Sequence, residues 1–431
     1  MTAPRLPAEL AATIVDPFAH ADAGRIHGAF TKMRADYPLA IAEVEGCEPF
    51  WAVSKHADIL DISKQNALFM NGVKSTTFTT KAGTEQVMKI TGTPHLVKSL
   101  VQMDPPEHPK YRVLTQSWFL PQNLRKLEPR LRQLAKIYVD RMADKGGSCD
   151  FVGDVAVWYP LRVIMDILGV PESDEPRMLK LTQELFGATD PELGRAGDAP
   201  GGFGALMSDD AVASLQATVM DFFQYFNAIT EDRRAHPRDD VASVIANGKI
   251  DGQPLDPFNA MSYYVILAAA GHDTTSASTA GGMWALIDNP AEFKKLKDNP
   301  ALMPSFVDEA IRWTTPVRHF MRSSTADYEL RGQTIKKDDW LMLLYPSGNR
   351  DEEVFDEPFK FKVDRSPNKL LSFGFGAHVC IGQHLAKMEM RALFDELIPR
   401  LQSIEFDGEP RLSAANFVNG PKKMPVRYKI N

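Results

Sequence analysis

Cysteine is scarce. The 431 residues include three, Cys47, Cys149 and Cys380, too scattered for a disulfide framework, which points to a reducing, cytoplasmic setting. Long apolar runs are absent too. The longest, residues 263–271, is far shorter than the roughly 20 residues a bilayer crossing needs. Residues 1–18 are interrupted by Pro4, Pro7 and Pro17 and lack an apolar core, so neither a signal peptide nor an anchor is expected there. There is no basic surplus: 49 Lys and Arg against 56 Asp and Glu give a net charge of −7. No basic arm or stripe appears, and nucleic-acid binding is excluded on that ground. Internal repeats and low-complexity tracts are missing as well. What remains is a soluble globular chain, 44 % apolar, with material for a large core.

What is present centres on one stretch, Phe373-Gly374-Phe375-Gly376-Ala377-His378-Val379-Cys380-Ile381-Gly382. Downstream, Leu385, Met388, Ala392 and Leu393 recur at helical spacing, which predicts a helix from about Cys380 to Pro399. A helix N-terminus offers unpaired N–H groups and partial positive charge, and both favour thiolate over thiol. Gly374 and Gly376 open backbone angles closed to other residues, so the loop can fold against a flat ligand. Gly382 removes a side chain beside the sulfur, and His378 can donate a hydrogen bond to an acidic group. Taken alone, a single cysteine in such a turn is more often a buried structural thiol, since free Cys usually behaves as a small hydrophobe.

A second stretch is unusually long. Asp256-Pro257 is a helix start, Asp as N-cap and Pro in the first position, and the next breaker is Pro290. That interval allows roughly 50 Å of helix at 1.5 Å per residue. It is apolar nearly all round from Tyr263 to Ala270, as in a helix running through the centre of a large domain. Gly271-His272-Asp273-Thr274-Thr275 follows at once, and buried polar groups there are costly unless paired or functional. Upstream, Pro105 and Pro106 stop any helix, and the chain turns helical after Pro109. His108 and Arg112 then share a face. The pair suits a carboxylate, or an ordinary solvated helix. Glu309 and Arg312 share a face of a helix patterned by Phe306, Val307, Ala310 and Ile311.

The other segments follow ordinary signals. Residues 39–44 and 50–53 read as a hairpin about Glu45-Gly46, and 56–63 as a helix. Residues 69–100, rich in Thr, Gly and Lys, read as irregular, the kind of loop that carries specificity. Residues 124–142, 158–168 and 180–187 read as helices, while 190–204, dense in Gly, Pro, Asp and Ala, breaks secondary structure. Residues 328–330 and 340–344 read as strands paired about Gly332.

The pattern Phe-x-x-Gly-x-His-x-Cys-x-Gly, filled by Phe373, Gly376, His378, Cys380 and Gly382, resembles the haem-thiolate loop of the cytochrome P-450 family. The other stretches fall in that family's order over nearly the whole chain. Residues 263–264, 271–275, 317–322 and 376–386 resemble its bacterial terpineol-hydroxylating branch. The resemblance implies a single catalytic domain over 1–431, mainly α with a small β-rich region: a triangular helical prism holding haem between the long oxygen-binding helix and the cysteine-loop helix. It implies haem b, iron protoporphyrin IX, with the iron on Cys380. His108, Arg112, Arg322 and His378 then bind the cofactor at its acidic edge, and Trp118 packs near it. Gly271 leaves room for dioxygen, Asp273 relays protons and Thr274 hydrogen-bonds beside the oxygen. His272 is a hydrogen-bonding side chain rather than a ligand. Glu309 and Arg312, completed by Arg365, form a structural charge network.

The implied pocket is Phe78, Leu185, Phe186, Leu267, Ala270, Val317, Phe320 and Phe417, apolar and aromatic, under a lid at 190–204. The implied activity is monooxygenation of a small hydrophobic substrate, a monoterpenoid or an aryl or cyclic alkyl hydrocarbon. It uses O2 and electrons from a [2Fe–2S] ferredoxin with its reductase. Lys110, Arg125 and Lys126 are docking candidates on a monomer. Two other readings are a peroxide-driven haem-thiolate peroxygenase and a non-catalytic haem-binding or sensor protein. Asp273 and Thr274 argue against the first, and no stretch suggests an output module for the second.

Overall fold

The structure, a computed structural model, describes residues 3–195 and 209–431. Its axis is the helix Pro257–Asp288. The Asp256 carboxylate caps it, accepting from the Asn259 N–H at 3.0 Å, and Pro257 occupies its first turn without leaving a donor unmet. The helices Trp158–Leu168, Glu175–Phe186, Asp209–Ala235, Met303–Thr314 and Gln383–Arg400 all pack on it. Gly282 permits a close approach of Met303–Thr314, since a Cβ there would come 2.8 Å from the Ala310 Cβ. The largest apolar cluster of the chain surrounds this axis. Among the described residues no helix is long and apolar enough to cross a membrane.

The β-rich side is a five-stranded sheet in the order Leu39–Ala42, Phe50–Val53, Trp340–Leu344, His319–Ser324, Phe69–Met70. Phe50–Val53 and Trp340–Leu344 run parallel, and the other neighbours are antiparallel. Strand side chains alternate between faces. Met342 and Leu344 therefore join one apolar cluster under the N-terminal helices Ala8–Val15 and Ala23–Asp36. Leu341 and Leu343 join the other, against the helix His56–Lys64.

Several local expectations give way. The strand Trp340–Leu344 does not pair with Tyr328–Leu330, which instead makes its own small hairpin with Gln333–Ile335. Five buried apolar residues in a row need neighbours on both edges. Residues 69–100 are not irregular throughout. They hold the helix Lys81–Thr91, capped by Thr80 on the Gly83 N–H and closed by Gly92 at φ +71°. The helix Glu107–Gln116 starts ahead of Pro109, which its first turn accommodates. Residues 124–142 divide into Pro121–Leu124 and Glu128–Ala143, with Pro129 near the second start. The helix expected at 180–187 is longer, Glu175–Phe186. Most of 190–204 lies outside the described residues. Asp190 itself is buried and anchored, accepting from the Ala414 N–H at 2.7 Å and from Lys422 at 3.0 Å.

One charge network pins the loop that leads to the cysteine. Glu309 and Arg312 are wholly buried. Arg312 donates to both Glu309 oxygens at 2.7 and 2.8 Å, and to the Asn349 and Pro358 carbonyls. Arg365 donates to Glu309 at 2.9 Å, and Asn368 at 3.2 Å. Asn349 then accepts from the Leu371 N–H at 2.6 Å, two residues before Phe373. Removing one partner strands a buried charge. Glu309→Ala is expected to cost roughly 3–5 kcal/mol of stability, read from urea unfolding; an unmoved midpoint would contradict the role of the network.

Two buried histidines set a second expectation. Burial, and then Arg318, pushes His20 down from 6.5 to about 3, and burial pushes His319 down to about 4. The unfolded chain takes up protons on these rings near 6.5, while the folded chain does not. Their stabilisation is therefore complete above pH 6.5 and is lost as pH falls toward 4, at about 1.4 kcal/mol per pH unit for each ring. His319→Gln is expected to flatten part of that acid slope in the urea midpoint.

A candidate active site between the long helix and the cysteine loop

A cavity of about 510 Å³ separates the long helix from the cysteine loop. All eight apolar residues singled out above line it: Phe78, Leu185, Phe186, Leu267, Ala270, Val317, Phe320 and Phe417. Phe186, Phe320 and Phe417 form one aromatic wall, with ring centroids 6.0 and 5.4 Å apart. Phe119 lines the cavity and Trp118 does not. The helix ends at Gln116, and the short turn after it points Phe119 inward. The segment 69–100 contributes hydroxyls as well as Phe78, through Thr76, Thr77, Thr79 and Thr84.

The exposed surface of Cys380 belongs to this cavity. Its N–H closes the loop on the Phe373 carbonyl at 2.8 Å. Gly374 and Gly376 take φ of +67° and +74°. At Gly376 the close neighbour is the Ser63 carbonyl, so that glycine seats the loop on the helix His56–Lys64. The helix expected from Cys380 begins instead at Gln383, with Gly382 as its cap. The sulfur thus lies just ahead of the helix start. Burial pushes the Cys380 thiol up, while the Gly382 and Gln383 N–H groups and Arg112 pull it down, and burial prevails. A cation at the sulfur would reverse that balance.

Basic groups line the same cavity. His108, Arg112, Arg322 and His378 all line the cavity. The two imidazoles lie 4.3 Å apart, and Nε2 of each is buried without a partner. Burial, then Arg322, His108 and Arg112, pushes His378 down to about 2. Burial and Arg112 lower His108 likewise. Two neutral rings with spare nitrogen atoms, beside two guanidiniums, suit acid groups.

On the long helix, Thr274 lines the cavity and donates to the Ala270 carbonyl at 2.9 Å. Asp273 does not line it. Its Oδ1 lies 3.4 Å from His272 Nδ1, and its Oδ2 is buried without a partner. Gly271 lines the cavity, and an added Cβ there would come 2.7 Å from Ile164. Lys110, a docking candidate, is paired with Asp251 at 2.5 Å.

Glu389 is among the lining residues that the sequence pattern did not bring forward. It is 1 % exposed and has Oε2 unpartnered. Burial raises its carboxyl well above the usual range, offset in part by Thr275. A signal was available: Glu389 shares the apolar stripe of Leu385, Ala392 and Leu393, where a solvated carboxylate does not belong.

The sequence matches the Cytochrome P450 family over residues 49–426. The chain belongs to that family. It is 48 % identical to Cytochrome P450-terp of a Pseudomonas species over 98 % of both chains. It is 29 % identical to linalool 8-monooxygenase of Pseudomonas putida, over 93 % of this chain and 95 % of that one. Its fold superposes on the crystal structure of CYP108D1 from Novosphingobium aromaticivorans with a TM-score of 0.90 and 44 % identity, over 99 % and 100 % of the two chains. The chain is a P450 monooxygenase. The family carries haem on a cysteine thiolate, and the cavity fits such a group: one sulfur facing in, and unpartnered imidazole nitrogens with two guanidiniums where acid groups would lie.

Cys380→Ala is expected to keep the far-ultraviolet circular dichroism of the parent and to lose the thiolate-haem absorption of the reduced carbon-monoxide form. A retained band would move the iron ligand to another residue.

Proposed function

We propose that this P450 is a single-domain, monomeric cytoplasmic enzyme that binds haem b and hydroxylates a compact hydrophobic substrate, a monoterpenoid or an aryl or cyclic alkyl hydrocarbon. Electrons come from a [2Fe–2S] ferredoxin and its reductase. The observation that carries the reading is the cavity itself, where Cys380 and Thr274 share one compartment with an apolar, aromatic wall. Relatives named for terp and for linalool oxidation support the terpenoid side of it.

Haem, when bound through Cys380, supplies the activation of dioxygen. The chain's own groups do the rest. His108, Arg112, Arg322 and His378 hold the propionates and fix the orientation of the ring. Leu267, Ala270 and the Phe186–Phe320–Phe417 wall exclude water and orient the substrate. The Thr274 hydroxyl hydrogen, turned from the Ala270 carbonyl into the cavity, holds a proton at the oxygen-binding face. Asp273 Oδ2 passes protons toward it from outside the apolar compartment, which cannot conduct them itself.

Monoterpene alcohols, cyclic alkanes and alkylbenzenes are expected to shift the ferric enzyme from low to high spin, and long fatty acids are not. A screen in which only fatty acids shift the spectrum would refute the substrate class. Thr274→Ala is expected to bind the same compounds while diverting electrons to hydrogen peroxide, with the product yield per NADH falling by about tenfold or more. Full coupling in that variant would contradict the role given to Thr274.

A further inference from the structure

His272 takes no part in the functions described so far. It is wholly buried, it does not line the cavity, and it directly precedes Asp273. Three acceptors surround its ring. Nε2 lies 2.8 Å from the Val157 carbonyl, so Nε2 carries a hydrogen. Nδ1 lies 3.2 Å from Thr182 Oγ1 and 3.4 Å from Asp273 Oδ1. The Thr182 hydroxyl also has the Leu179 carbonyl within reach at 3.0 Å, and with its hydrogen turned there its oxygen accepts. In that orientation a ring with both nitrogens donating meets the carbonyl, the hydroxyl oxygen and the carboxylate together.

We propose that His272 is the positioning residue of Asp273. Its imidazolium holds the carboxyl at the outer side of the long helix and ties it to the substrate wall through Thr182. Asp273 keeps 17 % of its side-chain surface accessible without lining the cavity, which suits a group that takes protons up on the side away from the pocket. Thr182 lies on the helix Glu175–Phe186, whose last residues, Leu185 and Phe186, line the cavity. A substrate that displaces those two side chains pulls on Thr182. Nδ1–H is then redistributed between the hydroxyl and the carboxylate. The acid is held tightly in the empty pocket and released when the pocket is filled. No bond other than this shared hydrogen bond changes.

The inference rests on the proposed relay role of Asp273, and its test separates the two. In the reduced carbon-monoxide form of the holoenzyme, labelled with nitrogen-15 histidine, the His272 signal is identified by its loss in His272→Gln. It is expected to show both ring nitrogens protonated, and to move to the neutral form in Asp273→Asn. A neutral ring in the parent overturns the inference whether or not the enzyme turns over. Two isosteres read the function. Asn places an N–H near Nδ1 and loses the Val157 tie, whereas Gln reaches Val157 and loses Asp273. His272→Gln is expected to lose roughly ten- to a hundredfold in product per NADH, and His272→Asn to recover most of it at a similar melting temperature. Equal losses in both variants, or losses that follow melting temperature, would overturn the positioning role. A doubly protonated ring in a protein that oxidises nothing would sink the monooxygenase reading and leave the contact standing.

Discussion

A thiol that opens into an enclosed cavity and is disfavoured there as an anion is the constraint around which this structure is arranged. Two backbone N–H groups and Arg112 pull Cys380 toward thiolate and do not suffice. A positive centre at the sulfur would tip that balance to thiolate. Lining the same cavity, Arg112, Arg322 and two unpartnered imidazole nitrogens create a preference for negative groups. A flat molecule with a cationic centre and an acidic edge answers both, and a neutral apolar ligand answers neither. The specificity for the cofactor is thus an electrostatic pattern written into the lining of one compartment. The substrate side is left to shape and apolar surface.

Holding that pattern requires the loop before Cys380 to be rigid, and the loop is not rigid by itself. Its constraint is imported. Glu309 gathers Arg312, Arg365 and Asn368. Arg312 reaches on to the Asn349 carbonyl, and the Asn349 side chain holds the Leu371 N–H. Gly376 then seats the loop against Ser63. Each link but the last is a hydrogen bond that burial makes expensive to lose. Such a network contributes little net stability over apolar packing. What it supplies is a single geometry for the sulfur.

Local chemistry was legible and partner choice was not. Asp256 and Pro257 announce the long helix, and the spacing of Glu309 and Arg312 announces their shared face. The signature residues around Cys380 announce the family. The helix Lys81–Thr91 was signalled too, by Thr80 and Gly92 at its ends, but its Thr, Gly and Lys content resembled a loop. Strand pairing failed for another reason. Trp340–Leu344 is bonded to residues distant in the chain on both edges, and no turn residue specifies such partners. The contacts of His272 with Val157 and Thr182, likewise, depend on how three helices meet. Nothing in the order Gly271-His272-Asp273 states that meeting. Glu389 lies between these cases, legible as a misplaced charge and overlooked because the helix around it was read for its apolar residues.

The same dependence on distant partners shapes the substrate wall. Phe78, Phe320 and Phe417 come from widely separated segments, and one neutral histidine joins them. His319 Nε2 accepts the Phe78 N–H at 3.0 Å, and its Nδ1–H donates to the Asn416 carbonyl at 2.9 Å. Asn416 in turn donates to the Val15 carbonyl at 2.7 Å, tying the wall to the N-terminal helix. Both ring nitrogens are used in opposite senses, so only the neutral tautomer satisfies both neighbours. A second proton would turn Nε2 from acceptor to donor and set it against the Phe78 N–H. Burial prevents this by holding the ring down to about 4. The desolvation that makes His319 costly to protonate therefore also keeps the aromatic wall in one arrangement. Pocket shape and acid tolerance are two consequences of a single buried ring.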